Sequence, residues 1–304
     1  MGGASRIVAV DLGGTWVRAA SFEADGTIRC RARAATLREA GPEAVVAQIC
    51  SLAREVVAAE PGLIWQELVV ALAVPGPVDP VAGMVDAAPN LPGWRMVPLR
   101  ELVEAQLGCR CLIDHDASLA ALGEHRRGAG LGVADFVYIT VSTGISAGLI
   151  FGHRLYRGGS GRAGEFGHVV VVEGGPLCHC GQRGCLEAVA SGTAIALAAG
   201  VASAAEVGRL AAAGDAMAQG VLAAAARHLG LAVGGLINLL NPDLIAFGGG
   251  VLGAGVSFWD AMVAAVAEGS FAATRAHCRL ELTQLGEDQG LLGAYELARD
   301  ELAR

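Results

Sequence analysis

Short apolar runs broken by glycine-rich turns recur along the chain, and their spacing predicts an α/β fold. Residues 6–10 (RIVAV) read as a strand, followed by the turn Asp11-Leu12-Gly13-Gly14-Thr15 and a second strand from Trp16 to Phe22. An Asp25-Gly26 turn leads into a third strand, so the chain opens as an antiparallel meander. Pro42 and Glu43 start a helix that ends before Pro61-Gly62. ELVVALAV (67–74) reads as a buried strand and runs into Pro75-Gly76-Pro77. A helix over 98–107, a strand over 109–114 (CRCLID) and a helix over 116–127 follow.

A second start comes after residue 134. DFVYITVS (135–142) reads as a strand, Thr143-Gly144 as a turn, and ISAGLIF (145–151) as a returning strand. VDLGGTWVRAASF (10–22) and ITVSTGISAGLIF (139–151) share this order of strand, small-residue turn and strand, which points to two related halves. Residues 186–240 read mostly as helices, and DLIAFGGGV (243–251) as a strand ending in glycines. A helix near 255–268, a strand near 279–285 and a terminal helix from about 289 complete the pattern. We place a small α/β domain at 1–117, joined by the C-terminal helix at 290–304, and a large α/β domain at 118–289.

Composition narrows the chemistry. A length of 304 residues fits about two domains. The net charge of −8, with no basic block, argues against nucleic acid as the main partner. The chain has no lysine, and all 22 basic residues are arginine. This excludes a phosphate loop of the Gly-Lys-Ser/Thr type, a Schiff-base lysine and a lysine general base. Uncharged stretches such as 136–152 and 244–259 are interrupted by Gly, Ser, Thr or Asn and read as buried strands and turns, so no membrane partner is expected. The first residues, MGGASRIVAVDLGG, lack the pattern of a signal peptide, and a cytoplasmic location is expected.

Phosphate-binding candidates are the two matching turns. Gly13 and Gly14 let the backbone turn N–H groups toward an anion, Thr15 adds a hydroxyl, and Asp11 could orient a hydrated Mg²⁺. Arg18 lies nearby on the returning strand, where a lone charge is more often simply exposed. A plain hairpin turn is the alternative for this loop. Thr143 and Gly144 form the second turn. Gly249 and Gly250, after a buried strand, permit close approach of a flat ligand such as adenine; a tight strand-to-helix turn is the alternative. Asp116, in LIDHDASLAALGE, opens a helix after a strand. Its carboxylate either takes a proton from a substrate hydroxyl or caps the helix.

Three of the eight cysteines fall close together, at 178, 180 and 185. Cys178, Cys180 and Cys185 with His168 supply four ligands of the kind that hold a tetrahedral, structural Zn²⁺; reduced cysteines in a loop are the alternative. His179 is a possible replacement for His168, less favoured because Cys178 and Cys180 flank it. Glu165 and Glu187 offer acceptors for sugar hydroxyls or are surface charge. The other cysteines, Cys30, Cys50, Cys109, Cys111 and Cys278, read as small buried hydrophobes.

At these residues the chain resembles the ROK family of bacterial sugar kinases and transcriptional repressors. The resemblance rests on 11–15, Pro75-Gly76-Pro77-Val78-Asp79, Gly164 to His168, the Cys-x-Cys-Gly-x-x-Gly-Cys-x-Glu stretch ending at Glu187, and Leu240-Asn241-Pro242-Asp243. It implies an actin-like ATPase (ribonuclease H-like) fold with two α/β domains around a cleft, as a homodimer or dimer of dimers. It implies Asp116 as general base, sugar contacts from Asn90, His115, Asp116, Glu165, His168 and Glu187, and a His168 that also holds zinc through its other nitrogen. It further implies Mg²⁺ with ATP, and a hexose as substrate. PNLPGWRMVPL (89–99) looks most like the glucokinase members.

The chain departs from the family pattern at His115 and Ser118, where Asn is usual on either side of the catalytic Asp. Ser142, Ser146 and Ala147 replace glycines of the second turn but are small enough to keep it. Repressor members carry a DNA-binding helix-turn-helix before the kinase-like part, and with a phosphate turn at residue 11 none is expected here. The expected activity is phosphorylation of a hexose, first of all glucose. Fructose, mannose or an N-acetylated amino sugar are the alternatives, as are polyphosphate as donor and a silent sugar sensor.

Overall fold

The structure, a computed structural model, describes residues 4–60, 63–88 and 90–303. Pro61, Gly62 and Pro89 lie outside them, so the expected helix stop at Pro61-Gly62 is not described. The chain divides into two compact units, one of Met1–Leu131, Leu155–Ala163 and Leu285–Arg304, the other of Gly132–Arg154 and Gly164–Gln284.

The first unit holds β1 (Ala4–Leu12), β2 (Trp16–Glu23), β3 (Ile28–Ala35), α1 (Pro42–Ala58), β4 (Val69–Val74), β5 (Val78–Asp79), β6 (Met84–Ala87), β7 (Arg95–Val97), α2 (Leu99–Leu107), β8 (Arg110–His115) and α3 (Asp116–Arg127). Its main sheet runs β3-β2-β1-β4-β8, and β5, β6 and β7 form a small second sheet. β1 pairs antiparallel with β2 and parallel with β4, which in turn pairs parallel with β8. All six positions of β4 are buried, because its parallel neighbours and covering helices leave it no wet face. Val45, Val46, Ile49 and Val56 of α1 close over Val8, Val10, Leu12 and Leu72 in one core. Each such side chain contributes roughly 1.5–3 kcal/mol by leaving water.

The second unit begins with β9 (Phe136–Val141), β10 (Ile145–Phe151) and β11 (Arg154–Tyr156), at which the chain leaves it. After 164 come α4 (Leu186–Ala190), α5 (Gly192–Ala199), α6 (Ala204–Ala212), α7 (Ala216–Leu240), β12 (Leu244–Gly248), α8 (Val256–Gly269), α9 (Ala272–His277) and β13 (Arg279–Leu282). The sheet order is β11-β10-β9-β12-β13. β9 pairs antiparallel with β10 and parallel with β12, and β12 pairs parallel with β13. This repeats the β1 arrangement, with the 13–15 turn matched by 142–144, so the internal similarity in sequence reflects a repeated topology.

α7 is long and apolar enough to cross a bilayer, although the uncharged stretches of the sequence suggested no such span. Its Leu222, Ala226, Leu229, Val233 and Ile237 are buried in the second core, and it carries Arg227, so it reads as the central helix of this unit.

α10 (Gln289–Leu302) packs on α3 within the first unit. The two backbones come so close that a Cβ at Gly293 would collide with the Leu119 carbonyl, and one at Gly123 would lie 2.6 Å from the Gln289 carbonyl. Glu296 of α10, fully buried, pairs with Arg127 and Arg299. A boundary between 117 and 118 would cut α3 after its second residue, whereas the whole helix packs in the first unit. Residues 155–163 return to that unit as well, a feature no motif announces.

Candidate active site

In the first unit, the turn after β1 is braced from below. Thr36 Oγ1 donates to the Gly13 carbonyl (2.6 Å), Thr36 N–H to Thr15 (2.9 Å), and Gly13 N–H to Trp16 (2.9 Å). Neither glycine takes a left-handed φ. They allow close approach: a Cβ would sit 3.1 Å from the Trp16 carbonyl at Gly13 and 3.2 Å from Asn90 Cβ at Gly14, each a tight contact. Asn90 therefore lies against this turn, and its side chain is exposed, as is that of Thr15.

Asp11, at the end of β1, is 17% exposed and faces Arg18 across the β1–β2 pair, 3.4 Å away. Burial lifts its carboxyl to about 6; Arg18 opposes the lift, and the nearby charge of Asp116 adds to it. Arg18 is not the free surface charge that its position suggested, because it also meets Glu287 at 3.2 Å. The hairpin register that sets Asp11 opposite Arg18 was the available signal.

Asp116 is the first residue of α3, and His115, not Asp116, is the N-cap residue. The capping alternative thus gives way: Asp116 Oδ1 accepts its neighbour's N–H, from Ala117 at 2.6 Å, and the side chain is 40% exposed. His115 is 12% exposed and brings Nε2 within 3.2 Å of Asp116 Oδ1. Ser118 is buried. Just before them, Asp114 is buried and paired with Arg157, a partner the sequence did not suggest.

In the second unit, Thr143 is exposed in the 142–144 turn, whose ends are closed by Ser142 N–H to Gly144 (2.9 Å) and Gly192 N–H to Ser142 (2.7 Å). A Cβ at Gly144 would meet Glu187 Oε2 and push that carboxylate aside, so the small residue keeps Glu187 against the turn. The same oxygen accepts from Ile145 N–H at 2.8 Å, and Oε1 lies 2.6 Å from His179 Nε2. Glu187 is 16% exposed, not surface charge, and joins this turn to the cysteine loop. Gly249 has φ +99°, and a Cβ there would collide with the Val141 carbonyl, so this tight turn requires glycine. Gly250, by contrast, has open space where a Cβ would be.

The cysteine loop gathers one atom each from His168, Cys178, Cys180 and Cys185, all within 4.8 Å of one another. Cys180 and Cys185 Sγ are 3.6 Å apart, and His168 Nδ1 is 3.6 Å from Cys178 Sγ. A tetrahedral zinc with bonds of about 2.3 Å to sulfur and 2.0–2.1 Å to nitrogen requires edges of roughly 3.6–3.8 Å. The donor set therefore fits the ion, and the sulfurs are too far apart for a disulfide. His168 Nε2 points the other way, 3.8 Å from Glu165 Oε2. His179 joins a second, overlapping group with His168, Cys178 and Glu187, yet its Nε2 is taken up by Glu187.

The family model described as "ROK family" matches residues 7–301. A glucokinase of Thermotoga maritima is 32% identical, with 98% of this chain and 98% of that protein aligned. An N-acetylmannosamine kinase of Shigella flexneri is 33% identical over 97% of this chain and 99% of its own. The crystal structure of a ROK family glucokinase from Streptomyces griseus, in complex with glucose and AMPPNP, superposes with a TM-score of 0.82 at 32% identity, covering 98% of this chain and 100% of that one. The two α/β units with their repeated strand order thus adopt the actin-like ATPase fold. Since both the family model and these relatives take in almost every residue from β1 to α10, the chain belongs to the ROK family.

Proposed function

We propose that this chain, an ATP-dependent sugar kinase, transfers the γ-phosphoryl group of ATP to a hexose, first of all glucose, giving the hexose 6-phosphate and ADP. The observation that carries the reading is the open carboxylate of Asp116 at the head of α3, beside Asp11 and the glycine turn after β1.

Asp116 accepts the proton of the sugar hydroxyl as that oxygen attacks the γ-phosphorus; the bond from phosphorus to the β–γ bridging oxygen breaks, and ADP leaves. Gly13, Gly14 and Thr15, and likewise Thr143 and Gly144, offer phosphate oxygens N–H and hydroxyl donors. Asp11 would hold Mg²⁺, which would supply neutralisation of the phosphate charge. Gly249 and Gly250 accept the adenine. Asn90, His115, Glu165, His168 and Glu187 take the sugar's hydroxyls. His168, Cys178, Cys180 and Cys185 hold a structural Zn²⁺, which supplies no bond-making chemistry and fixes the loop that carries His168 and Glu187. The enzyme acts in the cytoplasm as a homodimer or dimer of dimers.

A second reading, an N-acetylated amino sugar as substrate, is favoured by the Shigella relative. An ADP-release assay over glucose, mannose, fructose, N-acetylglucosamine and N-acetylmannosamine decides between them. The proposal expects the highest kcat/KM with glucose. Preference for an acetylated sugar shifts it to the second reading, and no ADP release with any sugar refutes both.

A further inference from the structure

Residues 155–163 form a short strap on the first unit, and nothing in the proposed chemistry uses them. The strap closes on itself through Ala163 N–H to the Arg157 carbonyl (3.0 Å). Its far end is tied down by Arg162, whose Nε donates to Asp86 Oδ2 at 2.7 Å. Gly161 sits so close to Pro80 that a Cβ would lie 3.2 Å from Pro80 Cδ. From this fixed strap Arg157 reaches Asp114, with Nε at 2.8 Å and Nη2 at 2.6 Å from Oδ2. Asp114 is only 2% exposed, and its other oxygen accepts the N–H of His115 at 2.8 Å.

Asp114 is thus held at both oxygens, one by the strap and one by the backbone that turns from β8 into α3. The next two residues along that backbone are His115 and Asp116, themselves 3.2 Å apart at Nε2 and Oδ1. A buried carboxylate with one strong cationic partner has a single low-energy orientation. Remove the guanidinium, and the carboxylate must find another donor or admit water, so the His115 N–H loses its fixed acceptor.

We propose that Arg157 is a positioning residue: through Asp114 it sets the strand-to-helix corner that aims Asp116. The inference rests on the reading of Asp116 as the base. Displacing a base by about 1 Å costs on the order of 100-fold in rate. The turn after β1 is braced by Thr36 and Trp16 rather than by the strap, so ATP binding is untouched.

The test uses the full chain and three variants, Arg157→Gln, the double variant Arg157→Gln/Asp114→Asn, and Asp116→Asn. Steady-state kinetics on the parent's best sugar accompany thermal melts and crystal structures. Arg157→Gln is expected to lower kcat about 100-fold, to leave KM for ATP within about twofold, and to recover part of kcat with millimolar guanidinium ion. The double variant removes the buried charge as well, so it regains folding stability but stays slow. A folded Arg157→Gln or double variant with kcat near the parent's, or with an unmoved corner at 114–116, overturns the proposal. If Asp116→Asn is inactive while Arg157→Gln is normal, only the positioning role falls. If Asp116→Asn turns over normally, the base assignment falls and takes the positioning role with it.

Discussion

Replacing Asp11 by asparagine is expected to stabilise the first unit while impairing nucleotide binding. The carboxylate is 17% exposed, and Gly290 at the start of α10 is pressed so close that a Cβ there would lie 2.9 Å from Asp11 Cγ. Burial, with Asp116 nearby, raises its pKa from 3.8 to about 6 despite Arg18. A carboxyl raised in the folded state binds its proton more tightly there than in the unfolded chain. The ionised form therefore costs stability, and the cost grows as pH climbs from below 3.8 to above 6. With those two values, linkage gives about 1 kcal/mol at pH 4.5 and about 3 kcal/mol above pH 7. Asp11→Asn removes the charge and keeps the shape, so it should exceed the parent by those amounts. At roughly 2–4 °C per kcal/mol for a unit of this size, the difference is about 6–12 °C at pH 7.5 and about 2–4 °C at pH 4.5. Calorimetric scans of both proteins at the two pH values read it directly, and Mg-ATP titration reads the loss of nucleotide affinity. A variant no more stable than the parent at pH 7.5, or an advantage independent of pH, would refute the reasoning.

Further substitutions probe other parts. Cys185→Ser should abolish bound zinc, measured by elemental analysis, and lower the melting temperature, because a structural metal contributes its binding energy to folding; unchanged stability after complete metal loss would count against a structural ion. Gly249→Ala forces a methyl onto the Val141 carbonyl at φ +99° and should destabilise the second unit by several kcal/mol, read by urea unfolding. Gly293→Ala should do the same to the first unit, since the α3–α10 approach leaves no room at the Leu119 carbonyl. His179→Ala frees Glu187 Oε1 and should raise the sugar KM several-fold with the zinc content unchanged, which separates its role from that of a ligand.

The meander, the buried β4 and the repeated strand–turn–strand were legible in the sequence because apolar runs and glycine breaks are local signals. α3 and β10 begin and end where the pattern put them, at 116–127 and 145–151. The cysteine cluster was legible for the same reason, since three of its four candidate ligands lie within one loop. What escaped was long-range. Nothing near Arg157 announces that it will pair with Asp114, 43 residues away, or that its strap packs on the first unit. The small β5–β6–β7 sheet went unread because its strands have only two to four residues, too few to show a period. The N-cap alternative for Asp116 failed by one position, with His115 taking the cap geometry. Glu187 looked like surface charge because its partners, the Ile145 N–H and His179, are defined by the fold of a turn and a loop.

The role of general base proposed for Asp116 at the head of α3 is tested most directly by Asp116→Asn, which keeps the side chain's size and removes its proton affinity. Rapid-quench measurement of sugar phosphate formed per enzyme, with calorimetric titration of glucose on the same protein, separates chemistry from binding. The account predicts phosphoryl transfer slower by about 10²–10⁴-fold or more with glucose affinity near the parent's. Transfer at the parent's rate by a variant with no carboxylate at 116 would contradict it.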